Sequence, residues 1–177
     1  MSMRFFLLFC AGTLLLPACG RFRRKAGAGQ FSDHKIIVAA LERSYTVYTP
    51  AGAQADAMLL LLHGGGGKPS GMIGLARDMQ SLADKHRLLL VYPEGVGGHW
   101  NDGRRDISAA ARQNVDDIAF LRAIAGAYTQ NIRRIFAAGM SNGGMMAQRI
   151  ACEMPDVVAG VVSVAANMPA ELAPQCT

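Results

Sequence analysis

The 177 residues contain no apolar run long enough to cross a bilayer. The stretch at 5–16 (FFLLFCAGTLLL) falls well short of the ~20 residues that a spanning helix needs. They hold no Cys-x-x-Cys pair and no Cys/His cluster at metal-ligand spacing, so neither a zinc site nor any other metal is expected. Repeats and low-complexity segments are absent too. Charged residues are few, 18% against 51% hydrophobic, which excludes an intrinsically disordered chain. The formal net charge of +5 is not spread along the sequence. Arg4, Arg21, Arg23, Arg24 and Lys25 account for five of the 18 basic residues, leaving 13 Lys+Arg against 13 Asp+Glu from residue 26 onward. A body without net positive charge lacks the footprint of a phosphate-backbone binder, so nucleic acid is not an expected partner. Histidine is limited to His34, His63, His86 and His99.

What is present begins with an export signal. Arg4 gives a positive start, the run at 5–16 has the length of a signal h-region, and Leu16-Pro17-Ala18-Cys19-Gly20 follows. That last stretch resembles a bacterial lipobox, in which the Cys thiol takes a diacylglyceryl group before cleavage. The reading is a lipoprotein signal at 1–18 with Cys19 lipidated and the protein held on the cell envelope through its acyl chains. An ordinary secretory signal, giving an extracellular protein, and a short retained anchor are the alternatives. Residues 19–30, charged and then Gly/Ala-rich, read as a tether, and 31–177 as one folded body. Cys10 falls in the h-region. Cys152 and Cys176 remain, and in an oxidising compartment a disulfide between them is expected, two free thiols being the alternative.

Along the body, 36–41 and 44–48 are β-rich runs separated by Glu42-Arg43, which predicts a leading hairpin starting near Lys35. Residues 57–62 (AMLLLL) form a continuous apolar run of strand length, as in a strand buried on both faces. Helical spacing is predicted over 71–85, a second buried strand over 88–92, and a loop over 95–113. A helix over 115–128, a strand over 132–138, a helix over 142–154 and a strand over 160–165 follow. Strands alternating with helices predict a mostly parallel sheet with helices on both faces.

The strongest local pattern is Gly139-Met140-Ser141-Asn142-Gly143, with a buried strand running into it and a helix leaving it without a gap. That context is what a nucleophile elbow needs: a strained turn exposing a Ser hydroxyl, glycines where Cβ atoms would collide, and a helix N-terminus facing developing negative charge. A second element, His63-Gly64-Gly65-Gly66-Gly67, follows the first buried strand, where backbone N–H groups could approach an ester carbonyl. The expected oxyanion donors are Gly65, Gly66 and Asn142. A phosphate-binding loop is excluded because Lys68-Pro69 stands where Gly-Lys-Ser/Thr should. His63 reads as an organiser of its loop rather than a base. Trp100 either lines a pocket or fills the core, and Asp116-Asp117 reads as a helix N-cap.

These stretches, with Val91-Tyr92-Pro93-Glu94-Gly95, Trp100-Asn101, Val115-Asp116-Asp117-Ile118-Ala119-Phe120-Leu121 and Cys152-Glu153-x-Pro155-Asp156, resemble the exported polyhydroxybutyrate-depolymerase-like and feruloyl-esterase-like α/β-hydrolases over roughly 44–176. The resemblance implies an α/β-hydrolase fold. It also implies a carboxylic ester hydrolase working through an acyl-enzyme on Ser141, with an ester substrate and no cofactor. It does not separate polyester, feruloyl and other acyl esters. In such hydrolases an acid and then a His follow the Ser, whereas no histidine follows Ser141 here. The expectation is therefore that 31–177 are the N-terminal portion of the hydrolase domain of a longer reading frame. A non-catalytic envelope lipoprotein keeping part of the fold is the alternative.

Overall fold

The computed structural model describes residues 28–52 and 54–176. The signal at 1–18, Cys19 and most of the tether lie outside them. Among the described residues no helix is long and apolar enough to cross a membrane. The chain opens with an antiparallel hairpin, β1 (Gln30–Val38) and β2 (Leu41–Thr49). Its turn is Ala39-Ala40, both at positive φ (49° and 63°), not Glu42-Arg43, which are paired within β2. Two residues of left-handed φ match the right-handed twist of paired strands, so a tight turn forms even without Gly or Asn. Gln30, read from sequence as tether, is the first residue of β1, and structure starts before Lys35.

Next come β3 (Ala57–Leu62), α1 (Pro69–Leu75), α2 (Met79–His86) and β4 (Leu88–Pro93). The single helix expected over 71–85 is thus divided. The chain continues through α3 (Ala109–Arg112), α4 (Asp117–Tyr128), β5 (Arg134–Met140), α5 (Asn142–Glu153) and β6 (Val158–Val164). The six strands lie in the order β1-β2-β4-β3-β5-β6, antiparallel at the hairpin end and parallel from β4 to β6. This mostly parallel sheet with helices on both faces is the predicted class.

Alternation along the central strands separates two cores. Met58, Leu60 and Leu62 of β3, with Leu89 and Val91 of β4, face α4 and α5. Leu61, Leu90 and Tyr92 face α1 and α2. Both faces of β3 and β4 are covered, which is why their sequences read as unbroken apolar runs. A disulfide joins Cys152, near the end of α5, to Cys176, closing a 24-residue separation with the Cα atoms 4.8 Å apart.

The order of strands matters for the site. From β3 the chain first moves outward to β4, then returns across β3 to β5. Connections leaving neighbouring strands in opposite directions open a crevice at the carboxyl ends of the strands, where open α/β sheets bind ligands. Leu62 pairs with Gly139, so the two glycine-bearing turns emerge side by side at that edge.

Candidate active site

Ser141 stands between β5 and α5 with φ 54° and ψ −123°, a backbone conformation costing on the order of 1–3 kcal/mol for a residue with a Cβ. The surroundings enforce it. A Cβ on Gly139 would overlap the Gly143 backbone, and one on Gly143 would overlap the carbonyls of Leu62 and His63. The helix can therefore turn away from the strand only through glycine. Ser141 N–H donates to Val164 O (2.9 Å) and Met145 N–H to Ser141 O (2.9 Å), which pins the turn at both ends. Ser141 is exposed and occupies the N-cap of α5, yet its hydroxyl makes no capping hydrogen bond. A Ser at this position ordinarily spends its oxygen on the helix; here it stays available.

The loop after β3 lies against this turn. A Cβ built on Gly64 would stand 3.7 Å from Ser141 Cβ, and one on Gly65 3.7 Å from Asn142 Cβ. Among the described residues neither Gly65 N–H nor Asn142 N–H has a hydrogen-bond acceptor. Gly66 departs from expectation. Its N–H donates to Gly98 O at 2.9 Å, and a donor already committed to a carbonyl cannot serve an oxyanion. Two amides, Gly65 and Asn142, remain next to the exposed serine at the N-terminus of α5, whose dipole adds positive potential.

His63 is 2% exposed, and both its ring nitrogens are engaged. Nδ1 donates to Gly64 O (2.8 Å) and Nε2 accepts from Gly95 N–H (3.0 Å). Burial pushes its pKa below the ordinary histidine value, more than the Gly64 carbonyl raises it, so the neutral ring is favoured. Its role is to hold the loop. His99 donates from Nδ1 to Gly97 O (2.9 Å), and its Nε2 edge faces Gly65, 3.3 Å from where a Cβ there would lie. His34 stacks on Tyr45 in the hairpin, and His86 ends α2.

Trp100 is fully buried, its indole N–H donating to His63 O (2.9 Å). Asp116 and Asp117 do different jobs. Asp116 caps α4 by accepting from Ala119 N–H (2.8 Å). Asp117 is buried against Arg43 (2.7 Å) and accepts Asn101 N–H (2.7 Å). Burial pushes the Asp117 carboxyl upward while Arg43 draws it back. The sequence reading missed Arg43 and Asp102. Arg43 is 74 positions from its partner, and no local pattern marks either residue. Among the described residues, no three His, Cys, Asp or Glu side chains are grouped to hold a metal ion.

The family model for esterase PHB depolymerase matches residues 43–171, a stretch that includes the glycine loop after β3 and the Ser141 turn. The chain belongs to this esterase family. It is 32% identical over 155 residues to "Putative esterase NocK" of Nocardia uniformis subsp. tsuyamanensis, covering 83% of this chain and 44% of that protein. It is 29% identical over 120 residues to feruloyl esterase B of Neurospora crassa, covering 65% of this chain and 40% of that one. The family member described here thus spans under half the length of these curated relatives. Among solved structures, the fluorophosphonate-binding serine hydrolase FphF of Staphylococcus aureus superposes with a TM-score of 0.58 at 17% identity, covering 83% of this chain and 61% of that one. At that identity the likeness speaks for the fold, which is that of α/β esterases.

Proposed function

We propose that the protein is a serine esterase that hydrolyses carboxylic esters through an acyl-enzyme on Ser141. One observation carries this reading: an uncapped, exposed Ser hydroxyl at φ 54° beside two uncommitted amides, Gly65 and Asn142. Ser141 Oγ attacks the ester carbonyl carbon and gives up its proton to a base. The carbonyl oxygen becomes an oxyanion that accepts from the two N–H groups, each such donor contributing about 3 kcal/mol to the transition state. Collapse breaks the carbon–oxygen bond to the alcohol, which leaves with the proton. Water then attacks the acyl-enzyme in the same way, releasing the acid and restoring Ser141.

In the chain order that the resemblance implies, an acid and then a histidine base follow Ser141, and no histidine does so within the 177 residues. His63 is unsuited because both its nitrogens are spoken for. The substrate is an ester of the polyester, feruloyl or related acyl kind. The test is hydrolysis of p-nitrophenyl acetate. The 177 residues alone should show trace activity, and an extended form carrying an acid and a histidine after Ser141 should be faster by a factor of about a thousand or more. Ser141→Ala should abolish both. Equal rates would place the base within 1–177, with His99 first to be substituted. No rate in either form would favour a non-catalytic envelope lipoprotein.

The same reading exports the protein to the cell envelope with Cys19 lipidated and N-terminal, on the strength of Leu16-Pro17-Ala18-Cys19-Gly20. Mass spectrometry of the membrane fraction should find an acylated Cys19, and an unprocessed N-terminus would count against it.

A further inference from the structure

We propose that Trp100 and Asp102 are positioning residues that set the distance between the two oxyanion amides, bracing the loop after β3 against the turn after β5. The inference rests on the esterase reading above and adds residues that this reading does not use.

Gly65 and Asn142 belong to segments 77 positions apart in sequence, and no hydrogen bond joins the 63–67 loop directly to Asn142. The connection runs through 100–102. Trp100 donates its backbone N–H to Asn142 Oδ1 (2.8 Å), and its carbonyl accepts from Asn142 Nδ2 (3.1 Å). The same Nδ2 donates to Asp102 Oδ2 at 2.6 Å. On the other side, the Trp100 indole N–H donates to His63 O (2.9 Å), and the two rings pack with centroids 4.9 Å apart. One residue therefore grips the loop through its side chain and the turn through its backbone.

The brace is itself fixed. Asp102, fully buried, accepts from Arg104 Nη2 (2.7 Å) and from the Arg104 backbone N–H (3.1 Å). Asn101 N–H donates to the buried Asp117, which pairs with Arg43, and Arg149 donates to Asn101 O (2.6 Å). A structure needing only to fill its core would have no use for three hydrogen bonds to the one side chain that follows the nucleophile. Asn142 is 5% exposed, and its amide satisfies nothing but this segment. A hydrogen bond to an oxyanion is effective only with donors about 2.7–3.1 Å from the developing charge. A brace that fixes the amide spacing therefore acts on the transition state far more than on the bound ester.

The test uses the protein expressed from its complete reading frame. Asp102→Asn keeps the shape and one acceptor oxygen while removing the charge. Trp100→Phe keeps an aromatic ring and removes the indole donor. Steady-state hydrolysis of p-nitrophenyl butyrate should show kcat lowered about tenfold to a hundredfold in each, with KM within about threefold of the original. Affinity for a trifluoromethyl ketone, which forms a tetrahedral oxyanion on the serine, should fall by the same factor as kcat/KM. A merely structural role predicts a lower melting temperature with kcat per folded molecule unchanged, and that result overturns the proposal. So does a loss confined to KM with ketone affinity retained. Should Asp102→Asn fail to fold, Trp100→Phe carries the decision. Ser141→Ala separates the two levels: an active Ser141→Ala variant sinks the esterase reading and this proposal with it. An inactive one alongside full-rate positioning variants sinks the proposal alone.

Discussion

The loop after β3 and the turn after β5 lie against one another beside Ser141, but they are held there by different means. The turn after β5 is fixed by exclusion: glycines at 139 and 143 let backbones approach where no side chain could fit, with Ser141 at φ 54° between them. The 63–67 loop has four glycines and little intrinsic preference. It is fixed from outside, by Gly66 N–H on Gly98 O, Gly95 N–H on His63 Nε2 and the Trp100 indole on His63 O. One half of the site owes its backbone shape to sterics at the turn, with the Asn142 side chain braced by Trp100 and Asp102, while the other is rigid only as long as residues 95–100 stay in place.

The largest effect should come from breaking the steric half. Gly143→Ala would put a methyl into the carbonyls of Leu62 and His63, which are backbone and cannot yield cheaply. Urea unfolding should show a loss of about 3 kcal/mol or more. A variant of near-normal stability would mean that the turn is softer than its packing implies.

A smaller effect should come from loosening the braced half with acid. His63 must be neutral for Nε2 to accept from Gly95 N–H, and burial lowers its pKa in the folded protein. Protonation therefore favours the unfolded chain. The stabilisation is complete above the unfolded value of about 6.5 and is lost as pH falls through the folded value. Melting temperatures between pH 7.5 and 5 should decline by this route. Substituting His63 should flatten the decline, and a slope indifferent to His63 would remove the histidine from the brace.

The smallest effect sharpens the division between the two loop amides. Gly66 has φ +72° with open space around it, so Gly66→Ala should cost only about 1 kcal/mol of backbone strain. Because its N–H is committed to Gly98, the esterase rate should change by less than about threefold. A much larger fall in kcat would return Gly66 to the oxyanion site.

How much of this could be read from sequence follows the same division. The turn after β5 was legible because its determinants are adjacent: an apolar strand, Gly-x-Ser-x-Gly and a helix, all within 134–153. The central strands were legible because burial on both faces leaves an unbroken apolar run at 57–62 and 88–92. The hairpin turn was not, since Ala39-Ala40 carry none of the usual turn residues and merge with the apolar run around them. Nor was the commitment of Gly66, because the four glycines look alike until Gly98 is brought beside one of them. The Arg43–Asp117 pair and the bonds of Trp100 to His63 and Asn142 span 74, 37 and 42 positions, and nothing in local spacing records them.

Trp100 is the only tryptophan among the 177 residues. It is also completely shielded from water and hydrogen-bonded to both halves of the site. Its emission is consequently an unlabelled optical gauge. A shift to longer wavelength marks the moment when water reaches the indole, and hence when the loop and the turn part company, whether or not the remaining sheet has melted. Comparing that signal with far-ultraviolet circular dichroism along one denaturation curve would resolve the opening of the site from the unfolding of the domain.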